Sequence, residues 1–413
     1  MGKLKIAFAR LNSDIHLRPE STVGQGVEHR RAFLYSLIEQ GHNVTIVSPI
    51  SNKDVSLLHS NLLFGNSWYN KLHYNINAVG DEFDVFILEA ASQNAAFTRD
   101  IGDTEIHVVP FIFEKLKHYS GNVILWHHIY VTSSIVPFNV RYKYDNENLR
   151  PLDDINPNNW RVWFKDFDPY ENKQWHLLYH CLDGDAFLDL KSRMSSTYRN
   201  SNLSGYHYLH LPQSKLDPYK NINPQPKYDA MWIGSRYSNA TRYDVYDRIP
   251  NILKFYDTPN YRGCVIGNME SYELKRHNRL GDEVKFRYAE TSVSKSNTDV
   301  AISLWNNSYT SIFTESKMAL KLGAVTGRLF LALRGGSILL VDRSLSNVEK
   351  LGLNDYLVAD AEEAKQKIDE IKQKTPSQRD EIRKQQLSTF PDWCDVDWGA
   401  FLSQPSSGVS YLS

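Results

Sequence analysis

The feature that most constrains this chain is an alternation of apolar strands and amphipathic helices that occurs twice. "KLKIAFAR" reads as an apolar strand and is followed, after a polar loop, by "GVEHRRAFLYSLIEQG". In the latter Val27, Phe33, Leu34, Leu37 and Ile38 recur near helical period. Gly41 closes that helix, and "HNVTIVSP" is the next strand, stopped by Pro49. "FDVFILEA" and "NVILWHHI" add two more buried strands. A second series starts after the proline-rich joint "INPQPKYDA". It runs through the strand "YDAMWIGS", the helix "RYDVYDRIPNILKFY", and the strands "YRGCVIGN" and "TDVAISLW". "VTGRLFLALRGGSILLVD" then supplies a helix, a turn on Gly335-Gly336 and a buried strand. "AEEAKQKIDEIKQKT" is an exposed charged helix, and "FPDWCDVDWGAFLSQ" reads as a helix anchored by Trp393, Trp398 and Phe401.

A chain of 413 residues is too long for one ordinary core. Strand–helix alternation implies parallel sheets that bind ligands at the carboxyl ends of their strands. The expectation is therefore an α/β protein of two Rossmann-like domains. Residues 1–220 form the first and residues 221–385 the second, with residues 386–413 a helix crossing back to the first. The polar, Trp- and Tyr-rich stretch 139–175 reads as a long excursion or as an acceptor-facing insertion. No internal repeat is visible.

Composition excludes several classes. Hydrophobic residues are 41% and charged residues 23%, as in ordinary soluble proteins. No apolar run approaches the roughly 20 residues that span a bilayer. "MGKLKIAFAR" reads as a strand rather than a signal peptide and lacks the Ser or Thr of a myristoylation signal. Cys181, Cys264 and Cys394 are scattered with no CxxC pair, which fits a reducing compartment and offers no zinc site. With a formal net charge of −1, nucleic-acid binding would need a local basic surface.

Four segments carry a more specific likeness. "GQGVEHRRAFLYSLIEQGHNVTIVSP", "HCLDGDAFLDL", "WIGSRYSNATR" and "VTGRLFLALRGGSILLVD" follow one another in the order found in the bacteriophage DNA glucosyltransferases that modify hydroxymethylcytosine. The first two resemble the α-type enzymes and the last two the β-type. The resemblance implies the GT-B plan, two Rossmann-like domains facing across a cleft. It also implies a UDP-sugar donor as co-substrate and a double-stranded DNA acceptor with a flipped modified base. It places the protein in the cytoplasm of a phage-infected bacterial host, with glucose or arabinose as the sugar, and implies no membrane partner. It allows a divalent metal but assigns no residue to it.

The departing diphosphate gains negative charge as the glycosidic bond breaks. A backbone-rich loop at a helix N-terminus, with arginines, can stabilise that charge without a metal. Gly24 and Gly26 of the first glycine loop, Gly234, Ser235, Arg236 and Arg242 of "GSRYSNATR", and Arg328 are the donor-binding candidates. A simple strand-to-helix turn with solvated arginines, and a helix-capping role for Arg328, are the plainer readings. The resemblance implies a ribose-binding glutamate three residues after Arg328, but Leu331 stands there. Either another carboxylate such as Glu315 takes the role, or donor recognition differs.

A hydroxyl nucleophile needs a base with a pKa near neutrality. His127 and His128 fall at a strand end, and the resemblance makes His128 the candidate. Glu28 and His29 are second choices at the start of the first helix. Asp183-Gly184-Asp185 has the spacing of a metal-chelating D-x-D, although its resemblance favours a turn. Arg141, Lys143 and Arg150, interleaved with Tyr142 and Tyr144, are DNA-binding candidates, and a solvated loop face explains them equally well. Arg276, Arg279, Lys285 and Arg287 form a second such cluster. Two other functions fit the same sequence: a GT-B enzyme acting on a glycan, lipid or small molecule, and a non-catalytic nucleotide-sugar-binding protein.

Overall fold

A computed structural model describes residues 2–10, 27–48, 68, 71–78, 80–90, 98–101, 104–127, 142–145, 148–151, 174–187, 203–209, 219–234, 248–258, 260–267, 286–289 and 298–404. The first half contains β1 Lys5–Arg10, α1 Val27–Glu39, β2 Asn43–Ile46, β3 His73–Tyr74, β4 Val85–Ala90, β5 Thr98–Ile101, β6 Thr104–His107, α2 Val108–Lys117, β7 Asn122–His127, β8 Tyr142–Asp145, β9 Asn148–Pro151, β10 Gln174–Tyr179 and β11 Leu203–Tyr208. The second contains β12 Tyr228–Ile233, α3 Ile249–Tyr256, β13 Gly263–Ile266, β14 Phe286–Ala289, α4 Thr298–Trp305, β15 Ser308–Phe313, α5 Lys317–Lys321, α6 Arg328–Gly335, β16 Ile338–Asp342, β17 Leu357–Val358, α7 Ala361–Lys372, α8 Pro376–Leu387 and α9 Trp398–Ser403.

Two parallel sheets organise these elements. The first has the order β11-β10-β7-β4-β1-β2-β3 and the second β14-β13-β12-β15-β16-β17. Their central strands are apolar on both faces because helices cover both. Ile6, Ala7, Phe8 and Ala9 of β1 are fully buried, as are Ile338, Leu339, Leu340 and Val341 of β16. In each sheet the chain order reverses beside the first strand. β1 is flanked by β2 and β4, and β12 by β13 and β15. Ligands of open α/β sheets bind at such reversal points, outside the carboxyl ends of the strands.

The stretch 325–342 forms the helix–turn–strand expected of it. Gly336 caps α6 with φ 106°, a left-handed conformation that a side chain would strain. Gly335 has a different reason: a Cβ there would stand 2.5 Å from the Ile302 carbonyl of α4 and 2.7 Å from Trp305 Cβ. One expectation fails. "TDVAISLW" is the helix α4 rather than a strand, with Ile302 and Trp305 buried at i, i+3 and Val300 exposed. The strand role passes to "SYTSIF", the next six residues after a two-residue turn. Short apolar runs are ambiguous in this way because burial alone does not set the period.

The end of the described chain returns to the first sheet. It does so through a 3-10 turn at Trp393–Asp395 and the short α9, not one continuous helix. Trp393, Trp398, Phe401 and Leu402 join Phe33, Trp126 and Leu178 in one core. Phe33 meets the Trp398 ring edge-on at 4.7 Å. The proline-rich joint is tied to α8: Arg383 donates to the Lys220 carbonyl at 2.7 Å, and Arg379 to that of Pro224 at 2.9 Å.

At the edge of the first sheet, His176 stacks on His207, whose ring lies edge-on to Phe401 at 4.9 Å. Burial, reinforced by His207, pushes the His176 imidazole down to about 4. A histidine whose folded pKa is depressed stays neutral in the folded chain while the unfolded chain protonates near 6.5. Stability is therefore complete above about pH 6.5 and falls as pH drops toward 4, by at most about 3 kcal/mol from this residue. Urea unfolding across that range should show the slope, and His176→Phe should flatten it.

Candidate functional site

Both reversal points hold the same arrangement: a buried glutamate bound by two arginines. In the first sheet the glutamate is Glu89 of β4, in register with Arg10 at the end of β1. Arg30 of α1 donates from Nη2 to Glu89 Oε1 at 2.6 Å and from Nε to Oε2, while Arg10 Nε stands 3.4 Å from Oε1. All three residues are buried.

In the second sheet the glutamate is Glu315, two residues beyond β15. Arg248, just before α3, donates from Nε to Oε2 at 2.6 Å, and Arg328 Nη1 stands 3.1 Å from Oε1. The Thr326 hydroxyl adds a bond to Oε1 at 3.3 Å, and Asn251 holds the Glu315 carbonyl at 2.7 Å. The Arg328 guanidinium lies over the Trp232 ring at 4.2 Å, a cation–π contact that fixes its plane. Its Nη2 would stand 3.1 Å from a Cβ added to Gly234, so the missing side chain leaves the room into which that nitrogen projects. Gly234 donates its backbone N–H to the Ile266 carbonyl at 3.0 Å. Gly267, at φ 151°, turns away with its α-carbon against the Gly234 carbonyl.

The two halves meet beside this cluster. Cys181 and Ala324 form an antiparallel bridge, with Leu182 N–H bonded to the Gly323 carbonyl at 2.8 Å. Asp183 belongs to this junction. Its Oδ1 accepts from Ala186 N–H at 2.9 Å, and its Oδ2 accepts from the Ser346 hydroxyl at 2.8 Å. The Asp-Gly-Asp spacing is thus a helix-capping turn that also binds the two halves together. Among the described residues no cluster of three metal-ligating side chains occurs.

Of the expected catalytic residues, His29 lies in this junction. It is buried, its ring 5.4 Å from that of His180 and 6.0 Å from that of Phe330 on α6. A Cβ on Gly327, the residue before Arg328, would stand 3.1 Å from His29 Nε2. His180 is held in one tautomer: Nδ1–H donates to the Leu209 carbonyl at 2.6 Å, and Nε2 accepts from Trp126 at 2.9 Å. The backbone of Glu28 lies in α1, but its side chain lies outside the described atoms. β7 ends at His127, and His128 lies outside the described residues, as do Gly24, Gly26, Ser235, Arg236, Arg242 and Arg141. Lys143 and Arg150 occupy the hairpin β8–β9, opposite one another in register, with backbone alone described. The sequence reading missed Arg10, Arg30, Glu89 and Arg248. For Arg10 and Glu89 the signal present was a charged residue near the carboxyl end of an otherwise apolar strand.

This fold is the GT-B fold, two Rossmann-like sheets with their carboxyl ends at a shared junction. The chain is similar to the β-glucosyltransferase of T4 phage solved with UDP-glucose, at TM-score 0.57 and 12% identity over 95% of this chain and 98% of that one. It matches the same phage enzyme solved with UDP and Mn2+ equally well, at TM-score 0.57 and 12% identity over the same shares. A weaker likeness is to an α,α-trehalose 6-phosphate synthase from Burkholderia multivorans, at TM-score 0.46 and 9% identity over 97% and 96% of the two chains. No protein-family model matches the sequence, and comparison with curated proteins finds no match.

The Gly234–Gly267 contact generates a test. Gly267→Ala would place a methyl against the Gly234 carbonyl in a backbone region costly for L-residues, on the order of 1–3 kcal/mol. The expected result is a lowered thermal midpoint with intact far-UV dichroism. An unchanged midpoint would mean that the two strand ends tolerate separation.

Proposed function

We propose that this protein is a glycosyltransferase that moves a sugar, glucose or arabinose, from a UDP-sugar to a hydroxylated or hydroxymethylated cytosine in phage DNA. The observation that carries the reading is the second crevice, where Arg328 projects toward Gly234 at the carboxyl end of the strand that opens the sheet. The order of the four segments and the similarity to a phage enzyme solved with UDP-glucose support the same reading. Residues 1–220 would form the acceptor domain and residues 221–385 the donor domain, with residues 386–413 crossing back to the first. The setting would be the cytoplasm of an infected bacterium.

In this reading Arg328, with Gly234, Ser235, Arg236 and Arg242, holds the diphosphate, and Gly24 and Gly26 approach the donor from the other side. The acceptor hydroxyl gives its proton to His128 as its oxygen attacks the anomeric carbon. The bond from that carbon to the diphosphate oxygen breaks, and UDP leaves with the electron pair. Glu28 and His29 are the alternative bases, and Arg141, Lys143 and Arg150 would contact DNA phosphates. A divalent metal would further neutralise the leaving diphosphate, although Asp183 of the Asp-Gly-Asp turn is engaged in structural bonds.

A second reading is favoured by the net charge of −1, which suits a small, glycan or lipid acceptor as well as DNA. Transfer assays with UDP-glucose and UDP-arabinose onto hydroxymethylcytosine DNA, read by nucleoside mass spectrometry, separate the two. Transfer to DNA supports the first; UDP-sugar hydrolysis or transfer only to small acceptors supports the second. UDP binding without turnover would identify a non-catalytic binding protein.

Two variants test the residue roles. Arg328→Ala and Arg242→Ala should each weaken UDP binding about tenfold or more by calorimetry, because charge-assisted phosphate bonds contribute about 1.5–3 kcal/mol. His128→Ala should cut turnover by about 10²–10⁴-fold with UDP affinity nearly unchanged. Full transfer by that variant would move the role to Glu28 or His29.

A further inference from the structure

We infer that Glu315 is a positioning residue for the donor's diphosphate: it takes one Nη group of Arg328 so that the other is presented beside Gly234. The inference rests on the donor reading above and deepens it. Two observations carry it. Glu315 is fully buried and its carboxylate is spanned by guanidiniums, Arg248 on Oε2 and Arg328 on Oε1. Arg328 is held on two sides at once, by Glu315 at Nη1 and by the Trp232 ring under its plane, and its Nη2 lies beside Gly234. A flexible side chain is thereby fixed before any ligand arrives, the condition under which charge stabilisation is most effective.

A carboxylate in this setting does not itself serve as the ligand's acceptor. Arg248 and Thr326 each hydrogen-bond one carboxylate oxygen, and Arg328 stands against Oε1 as an ion pair, which leaves little acceptor capacity open. Its influence on a nucleotide therefore passes through Arg328, and should be felt by the phosphates and not by the nucleoside.

The experiment compares UDP with uridine on the full chain. Glu315→Gln keeps the shape and one acceptor oxygen but removes the charge. UDP affinity should fall about tenfold by calorimetry, while uridine affinity measured by competition NMR should stay within about twofold. In the Arg328→Ala background the same substitution should weaken UDP by less than about threefold, because the two act as a unit. Equal losses for UDP and uridine, or additive losses in the double variant, would overturn the inference and leave Glu315 a purely structural residue. Should Glu315→Gln not fold, Glu315→Asp withdraws the charge by one methylene and is read in the same way. A selective loss for UDP supports the role, and an equal loss or none overturns it. If Arg328→Ala loses UDP while Glu315→Gln keeps it, the donor reading stands and this inference falls. If the parent protein binds no UDP, the donor reading falls and takes the inference with it.

Discussion

Removing a carboxylate from water costs several kcal/mol, and a protein interior compensates only when good geometry and further hydrogen bonds surround the ion. This chain meets that condition at two corresponding places. Glu89 and Glu315 are both fully buried, each between two arginines, and each stands where the strand order of its sheet reverses. The placement follows from the sheets. A reversal point splays the connections to either side, so strand ends there face an open crevice rather than the next turn. A charge can be carried at that position because the partner arginines come from neighbouring elements: β1 and α1 in the first half, and the starts of α3 and α6 in the second. The same ion clusters therefore bind the helix starts to the sheet and set the electrostatics of the crevice.

The rest of the architecture keeps the two crevices together. The segment after β10 pairs with the turn before α6 through the Cys181–Ala324 bridge, and Lys350 reaches back to the Leu182 carbonyl at 2.9 Å. That contact lies a few residues from Arg328 on one side and next to His180 on the other. The returning tryptophans act from the opposite end. Trp393 stacks on His180 at 5.9 Å and packs against Phe33 of α1, whose Arg30 holds Glu89. A chain end almost 400 residues from β1 thus supports the helix that carries the first ion cluster.

Much of this fold is legible in the sequence, for reasons visible in particular residues. Apolar runs such as "NVILWH" and "ILLVD", rich in β-branched residues or bounded by glycine, read as doubly covered strands, and Gly336 after α6 marks its end with a required left-handed residue. The "TDVAISLW" run was not legible, because eight residues with five apolar ones suit a buried strand or a half-buried helix equally. Packing decided, with Gly335 admitting the Ile302–Trp305 face of α4 against α6. Of the site, Gly234, His29 and Arg328 were found because their chemistry sits next to a turn. Arg30 and Arg248 were not found. Both lie in charge-rich helical or turn segments, where a surface arginine and a buried one look alike until the opposing carboxylate is placed.

Leu331 shows why the charge is carried where it is. The resemblance to the phage enzymes implies a glutamate three residues after the helix arginine, yet Leu329, Phe330, Leu331, Ala332 and Leu333 are all buried in this helix. Leu331 packs in the second core with Ile302, Trp305 and Leu339, so its surroundings suit an apolar residue and would leave a carboxylate unpaired. The carboxylate comes instead from the end of β15, a strand hydrogen-bonded on both sides by β12 and β16. Its position is thus set by the sheet backbone, and it meets Arg328 from below rather than from along the helix. Hydrogen-bonded to one guanidinium and a hydroxyl and ion-paired with a second guanidinium, it is a poor further acceptor for sugar hydroxyls. Under the donor reading, the strand-end glutamate would orient Arg328 from the sheet without standing in for the helix glutamate in reading a ribose.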